Sequence, residues 1–449
     1  MYKEERTNDT IAAVATPPGT GGVAIVRVSG PEAEAVLNRS FRRGGGASGP
    51  WESHRLSFGK ILRGQEIVDE GMAVLMRAPK SYTREDVAEL YCHGGTAVTR
   101  MVLEAVLLAG ARPAAPGEFT RRAFENGRID LAQAEAVMRL VGAQGEAQAR
   151  AARRQLEGAV SRGIVEVRQK LTEMLSQIAA CTDFPDEIDE APAAANLIAQ
   201  GRALCAQLRA ACDPSRARVL ETGLDVVLVG RPNVGKSSLL NALLGEERAI
   251  VTADAGTTRD AVRGTLEIAG VRVNLTDTAG IRQTGSEAER IGVQRAKEAA
   301  ARADLVLAVL DASRPLEAED EEILRQARQV RCVVVLNKCD LPRAQGMPQG
   351  MAVSARTGEG TDALRALLEE TARSAQSGSA LLTQARHIDA AQRAAGALEE
   401  MVAALEAGVP LDFAAVDATA ALRALGEITG EDAEQSVIDA VFAHFCVGK

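Results

Sequence analysis

The chain has 449 residues, of which 46% are hydrophobic and 25% charged, and its formal net charge is −9. That length fits two or three domains better than one core, and the balance is that of a folded globular protein, not a disordered one. No run reaches the roughly 18 apolar residues of a membrane span, and the charged start MYKEERTNDT is unlike a secretory signal, so a cytoplasmic protein without a membrane partner is expected.

The acidity is uneven. Residues 1–125 carry 16 basic and 15 acidic side chains, whereas residues 378–449 carry 4 and 11. No global positive field exists, so DNA is not an expected partner, and any RNA must be gripped by local basic patches or through another protein. The seven cysteines are odd in number and form no CxxC pair, which speaks against a disulfide framework and a structural zinc site.

Along the chain, VAIVRVSG (23–30), RLSFGKIL (55–62) and EGMAVLMRAP (70–79) are short apolar or alternating runs bounded by Gly and Pro, which predicts strands. RGGGASGP (43–50) reads as a loop, and helical spacing over 96–110 predicts a helix stopping at Gly110. From about 127 the chain becomes Ala-rich and helical in period to about 180, resumes at 192–212, and is helical again over 383–408 and 412–445. The acidic, Pro-punctuated DFPDEIDEAP lies between the first two stretches as a turn. Over about 223–375, continuous apolar runs such as LDVVLVG, LVLAVLD and CVVVLNK alternate with helical pattern, which predicts a mostly parallel sheet covered on both faces. The expected fold is therefore multidomain α/β: an α+β domain (1–125), an all-α domain in two parts (126–222 and 376–449), and an inserted P-loop domain (223–375) whose ends lie close together.

The insert carries the chemistry. GRPNVGKSS (230–238) follows an apolar strand and opens a helix, as GxxxxGK[ST] requires. Its glycines let backbone amides approach phosphate oxygens at a helix N-terminus; Asn233, Val234, Gly235, Lys236, Ser237 and Ser238 are the expected contacts. Lys236 would pair with the β and γ phosphates and the Ser237 hydroxyl with Mg²⁺. In DTAG, Asp277 can hold the magnesium through water, and the Gly280 amide can meet the γ phosphate beside Thr278 and Ala279. In NKCD, which supplies Asn337 and Lys338, Asp340 can accept hydrogen bonds from guanine N1 and N2, a pattern adenine cannot offer. Ser354, Ala355 and Arg356 suit a backbone contact to guanine O6. GTP is the expected nucleotide.

The loop TADAGTTRD adds Thr252, Ala253, Asp254, Ala255, Gly256, Thr257 and Thr258 to the expected nucleotide set. Thr258 is the expected second Mg²⁺ hydroxyl, with Thr257 a near competitor. Ile281 follows DTAG where small signalling GTPases place a water-orienting Gln, and Ile cannot hydrogen-bond to water. Another polar group must serve; Glu289 is one candidate, although its spacing also suits a solvated helix-surface carboxylate.

TADAGTTRD, DTAGIR and ERIG resemble the TrmE (MnmE) family of tRNA-modification GTPases. So do NDTIAAVATPPGTGGVAIVRVSG, SYTREDVAEL, HGG, RPAAPGEFTRRAF, DLAQAEA, DFPDE and the terminal FCVGK, in order along the whole chain. The resemblance implies a Ras-like G domain inserted in the helical domain behind an N-terminal folate-binding and dimerisation domain. It also implies a homodimeric, K⁺-stimulated GTPase of the cytoplasm. Such proteins join the FAD-dependent partner MnmG in a heterotetramer to add an aminomethyl or carboxymethylaminomethyl group to C5 of the wobble uridine of certain tRNAs.

It further implies K⁺ coordination at Asn233, Thr252, Asp254 and Thr257, catalysis by Glu289 with Lys236, and a functional Cys446. Arg27, Glu89, Arg128 and Lys449 resemble the positions that bind 5-formyl- or 5,10-methylene-tetrahydrofolate; Arg128 stands where lysine is common. No flavin-type GxGxxG follows a strand, so redox chemistry must come from the partner. A regulatory GTPase of ribosome assembly is the alternative; such relatives add a basic RNA-binding module, whereas this chain ends in an acidic block.

Overall fold

The computed structural model describes residues 9–46, 49–187, 189–245, 263–277, 298–327, 330–376 and 382–448. Two compact units emerge, one drawn from Met1–Met138, Gln155–Leu197 and Glu400–Lys449, the other from Arg139–Arg154 and Ile198–Glu399.

The first unit holds a seven-stranded sheet of β1 (Ile11–Val14), β2 (Gly21–Ser29), β3 (Phe41–Arg43), β4 (Ser57–Arg63), β5 (Glu66–Met76), β6 (Val87–Gly94) and β7 (Arg112–Pro113), ordered β3-β4-β5-β6-β2-β1-β7. All pairs are antiparallel except β1 with β7. Period-2 alternation in β2 turns Val26 and Val28 towards α1 (Ala33–Ser40) and α2 (Thr96–Leu108), whose Val36, Leu37, Val102 and Val106 complete the core. Arg27 falls on the opposite face, in register with Ala13 on β1 and Glu89 on β6. Strand β6 is absent from the sequence reading. Its apolar run is broken by Glu89, a carboxylate that is buried because Arg27 pairs with it.

Helices α3 (Glu118–Glu125) and α4 (Leu131–Val141) follow the sheet, α4 running into the segment of the second unit that carries α5 (Glu146–Leu156). In α6 (Ala159–Asp183) the residues Ile164, Val167, Leu171, Met174 and Ile178 recur at helical spacing and are buried. They face α13 (Leu411–Thr429), which buries Ala414, Ala418, Ala421 and Leu425 although the whole P-loop domain intervenes in sequence. The stretch 412–445 is two helices, α13 and α14 (Gln435–Ala443), and not one. Gly430 ends α13 at φ +91°, and a Cβ there would lie 2.9 Å from Leu131 and the Phe124 ring, so the break is sterically required.

In the second unit α7 (Glu190–Ala211), shared with the first, and α8 (Pro214–Thr222) lead into β8 (Leu224–Val229). There follow α9 (Lys236–Gly245), β9 (Arg263–Ile268), β10 (Val271–Asp277), β11 (Leu305–Asp311), α10 (Ala318–Ala327), β12 (Cys332–Asn337), β13 (Met351–Ala352), α11 (Thr361–Gln376) and α12 (Ala385–Glu406). The strand order is β13-β12-β11-β8-β10-β9, and only β9 is antiparallel to its neighbour. The continuous run of β11 is buried on both faces, with Leu305, Leu307 and Val309 in one cluster and Val306, Ala308 and Leu310 in another. Outside the bounds 223–375, the Leu382 amide donates to the Ala211 carbonyl at 3.0 Å, so the segments that precede and follow the P-loop region touch there.

Candidate functional site

The turn from β8 to α9 carries GRPNVGKS at the C-terminal edge of the parallel sheet, where ligands of such sheets bind. Lys236 is buried and its Nζ donates to the carbonyls of Gly230 at 2.8 Å and Arg231 at 2.9 Å, so the ammonium lies within the loop that would wrap the phosphates. Ser237 Oγ donates to Asp277 Oδ2 at 2.5 Å. The two motifs thus bring a hydroxyl and a fully buried carboxylate together, a hard-oxygen pair that fits Mg²⁺. Val234 is buried, whereas Asn233 and Ser238 are exposed at the mouth; Asn233 lies in the left-handed region at φ +64°.

Asn337, 1% exposed, ties the phosphate and base loops together. Its Nδ2 donates to the Val234 carbonyl at 2.8 Å and its Oδ1 accepts the Ala355 amide at 3.1 Å. Gly235, at φ +95°, is the only residue type that fits there, because a Cβ would run into Asn337 Nδ2. Lys338 Nζ donates to the Asn233 carbonyl at 3.0 Å. Asp340 accepts from Ser354 Oγ at 2.6 Å and Arg356 Nη2 at 2.6 Å. The Ser354 hydrogen bond, aided by the Arg356 charge, holds its carboxyl below the ordinary carboxylate range, so it remains the anionic acceptor that guanine recognition needs.

Two groups of anchors escape the motif reading. Asp311, at the end of β11, accepts from Lys338 Nζ at 2.7 Å. Arg231 of the phosphate loop pairs with Glu317 at 2.5 Å, Glu319 at 3.3 Å and Asp320 at 3.5 Å around the start of α10. An acidic residue closing an apolar strand was the available signal for Asp311; nothing in sequence links Arg231 to α10. Thr252, Ala253, Asp254, Ala255, Gly256, Thr257, Thr258, Thr278, Ala279, Gly280, Ile281, Glu289 and Lys449 lie outside the described residues.

A second polar cluster forms on the sheet of the first unit. Arg27 Nε donates to Glu89 Oε1 at 2.8 Å, and Tyr91 Oη donates to Glu89 Oε2 at 2.8 Å. Burial, reinforced by Glu89, pushes the Tyr91 phenol up to about 12. The Arg27 guanidinium lies 5.4 Å from the centre of the Tyr82 ring and 5.7 Å from that of Phe119; the Arg128 guanidinium lies 4.7 Å from the same Tyr82 ring and donates to the Tyr82 carbonyl at 2.7 Å. Arg27 and Arg128 are therefore brought together at one aromatic ring, with Glu89 held by Arg27. Guanidinium donors, a buried acceptor and stacking surface fit a flat heterocycle bearing carboxylates, such as a folate. Tyr82, Tyr91 and Phe119 were not singled out by the sequence, although the first and last lie in the SYTRED and GEFTRRAF blocks.

The C-terminal tail reaches the same sheet. Phe445 packs on Phe442 with ring centres 5.3 Å apart, the Cys446 carbonyl accepts the Gly117 amide at 3.5 Å, and Gly448 packs against Val14 at the end of β1. Cys446 itself is exposed. Among the described residues, no helix is long and apolar enough to cross a membrane.

The family model "MnmE helical domain" matches residues 131–446, and "GTP-binding protein TrmE N-terminus" matches residues 10–128. The chain is 45% identical over 462 residues to the tRNA modification GTPase MnmE of Geobacter metallireducens, covering 100% of both. It is 46% identical over 455 residues to that of Chloroflexus aurantiacus, covering 98% of this chain and 100% of the relative. Among solved structures it is similar to Aquifex aeolicus Era bound to GDP and AlF4⁻, at 30% identity and a TM-score of 0.27, covering 33% of this chain and 56% of that one.

Proposed function

This chain belongs to the MnmE family of tRNA modification GTPases, and on that premise we propose that it hydrolyses GTP within a complex that modifies the wobble uridine of tRNA. The observation that carries the reading is the single network from Val234 through Asn337 to Ala355, with Asp340 held as an anionic acceptor beside it. Hydrogen bonds from one side chain join the loop read as phosphate-binding to the loop read as guanine-binding, which supports a site that reads both parts of GTP together.

In this reading Lys236 neutralises the β and γ phosphates while Ser237 and Asp277 hold the magnesium, directly and through water. Thr258 completes the metal shell in the triphosphate state. Asn233, Thr252, Asp254 and Thr257 would hold K⁺, and the two cations would supply positive charge where phosphoryl transfer builds negative charge. Glu289 orients the attacking water, a role that Ile281 cannot take. Residues 223–375 form the G domain, 126–222 and 376–449 the helical domain, and 1–125 the folate-binding and dimerisation domain of a cytoplasmic homodimer.

Arg27, Glu89, Arg128 and Lys449 would hold the one-carbon tetrahydrofolate, which would supply the one-carbon unit for the group added at C5 of uridine 34. Its chemistry requires the FAD of the partner MnmG, since this chain has no flavin motif. Cys446, exposed on the tail, is a further functional residue whose chemical role stays open.

Nucleoside analysis of tRNA from a strain lacking the gene tests the reading: the aminomethyl-type wobble uridines should vanish and return with the gene. Unaltered wobble uridines would sink it and favour a role in ribosome assembly. GTP hydrolysis should be faster in K⁺ than in Na⁺ at equal ionic strength; equal rates remove the potassium assignment.

A further inference from the structure

We propose that Asp311 is a positioning residue of the guanine site, acting through Lys338 to hold the base-reading loop against the phosphate loop. The inference rests on the reading of residues 230–238 and 337–340 as a guanine-nucleotide site.

Asp311 ends β11, whose register sets it directly beside Asn337 at the end of β12. Its side chain is 10% exposed, and both carboxylate oxygens are engaged. Oδ1 accepts from the Ser313 amide at 3.0 Å and the Ser313 hydroxyl at 2.6 Å, which closes the turn after the strand. Oδ2 accepts from Lys338 Nζ at 2.7 Å; Arg314, the other nearby cation, is 78% exposed and 3.9 Å away. Burial alone would raise the Asp311 carboxyl, yet Lys338 and Ser313 hold it below its ordinary value, so the pair is ionic.

Lys338 needs such a partner. It sits in the left-handed region at φ +64°, which a non-glycine residue keeps only where its surroundings hold it. Its ammonium reaches two groups from different parts of the chain, the Asn233 carbonyl on the phosphate loop and Asp311 on β11. A lysine held by the neutral carbonyl alone keeps its rotamer freedom and can swing to solvent or to a bound phosphate. The carboxylate removes that choice, since charge-assisted hydrogen bonds are about twice as strong as neutral ones. Lys338 then braces Asn233 from NKCD, parallel to the Asn337–Val234 brace one residue earlier. Asp311 touches neither base nor phosphate; it fixes the group that does the bracing.

The test is a double-mutant cycle read as GDP affinity of the full chain by titration calorimetry with Mg²⁺ present. Asp311→Asn keeps the shape and the Ser313 bonds but removes the charge, and should raise Kd about tenfold, equivalent to about 1.4 kcal/mol. Lys338→Met should weaken binding at least as much, and the double variant should be no weaker than Lys338→Met alone. Asp311→Glu, which keeps the charge, should recover part of the loss. Additive losses in the double variant, a change below twofold in Asp311→Asn, or no recovery in Asp311→Glu would each overturn the proposal. If Asp311→Asn does not fold, the cycle of Asp311→Glu with Lys338→Met puts the same question. A wild-type chain that does not bind GDP would defeat the guanine-site reading itself, a failure distinct from that of the cycle.

Discussion

Replacing Asn337 by Ala separates a site built as one piece from two loops that merely lie near each other. The side chain is buried and makes one hydrogen bond to each loop, at 2.8 Å to the Val234 carbonyl and at 3.1 Å from the Ala355 amide. Each such bond contributes about 0.5–1.5 kcal/mol net, and each buried partner left unsatisfied costs about 1–3 kcal/mol more. Val234 is 5% exposed, so its carbonyl has little access to water. A total near 3 kcal/mol follows for the order of the two loops, and if about 2 kcal/mol of it must be regained on binding, the Kd for GDP rises about thirtyfold. Titration calorimetry gives the affinity, and thermal unfolding with and without saturating GDP gives the stability. The melting temperature without nucleotide should fall, and GDP should restore less of it than in the wild type. Asn337→Asp should bind no better than the Ala variant, because it places a carboxylate against the Val234 carbonyl while keeping only the Ala355 acceptor. A Kd within threefold of wild type together with an unchanged melting temperature would mean that neither loop depends on Asn337.

Asp340→Asn should weaken GDP and strengthen xanthosine diphosphate in relative terms, because the amide donates to the xanthine C2 oxygen where the carboxylate accepts from the guanine amino group; an unchanged preference ratio in competition binding counts against the Asp340 assignment. In the first unit Asp9 and Glu118 are partly buried, which alone would raise their carboxyls, but Arg112 and Arg122 carry them below the ordinary carboxylate range. Depressed carboxyls stabilise above their unfolded values and lose that contribution as pH falls through the folded ones, so the melting temperature should drop below about pH 4. Asp9→Asn should make that drop shallower, and an equal slope in both proteins would remove Asp9 from the linkage. Lys449→Ala should weaken binding of 5-formyl-tetrahydrofolate in equilibrium dialysis while GDP binding persists; unchanged folate affinity means the pocket is drawn wrongly.

The parallel sheet was legible because its strands are buried on both faces and therefore read as unbroken apolar runs bounded by helices. LVLAVLD and CVVVLN could hardly be anything else at six or seven residues each. The antiparallel sheet was less so. Strands β1 and β7 are short, and β6 contains a buried glutamate whose partner lies on another strand, so its sequence breaks the alternation that marks a strand. The break at Gly430 was missed for a related reason. TGED between two helical stretches holds a strong stop signal, but what enforces it is contact with Phe124 and Leu131 from a distant part of the chain.

The same division runs through the site. GKS, NKCD and SAR stand out as motifs because each gathers its candidate ligands in consecutive residues next to a strand, whereas residues 278–280 of DTAG lie outside the described residues. What holds the motifs in place is a property of the sheet. Asp311 and Asn337 are register partners on adjacent parallel strands, so one strand end presents the carboxylate that anchors Lys338 on the other. Arg27 and Glu89 are likewise opposite one another across β2 and β6. Taken singly, each of the four residues named for the folate cluster reads better as half of a surface ion pair. The structure buries Glu89 at 8% exposure, stacks two of the three described members on Tyr82, and lays the chain's tail along the same sheet. A surface ion pair needs none of these. They follow from the pairing of β2 with β6 and from the shared Tyr82 ring, long-range relations that no single residue of the sequence declares.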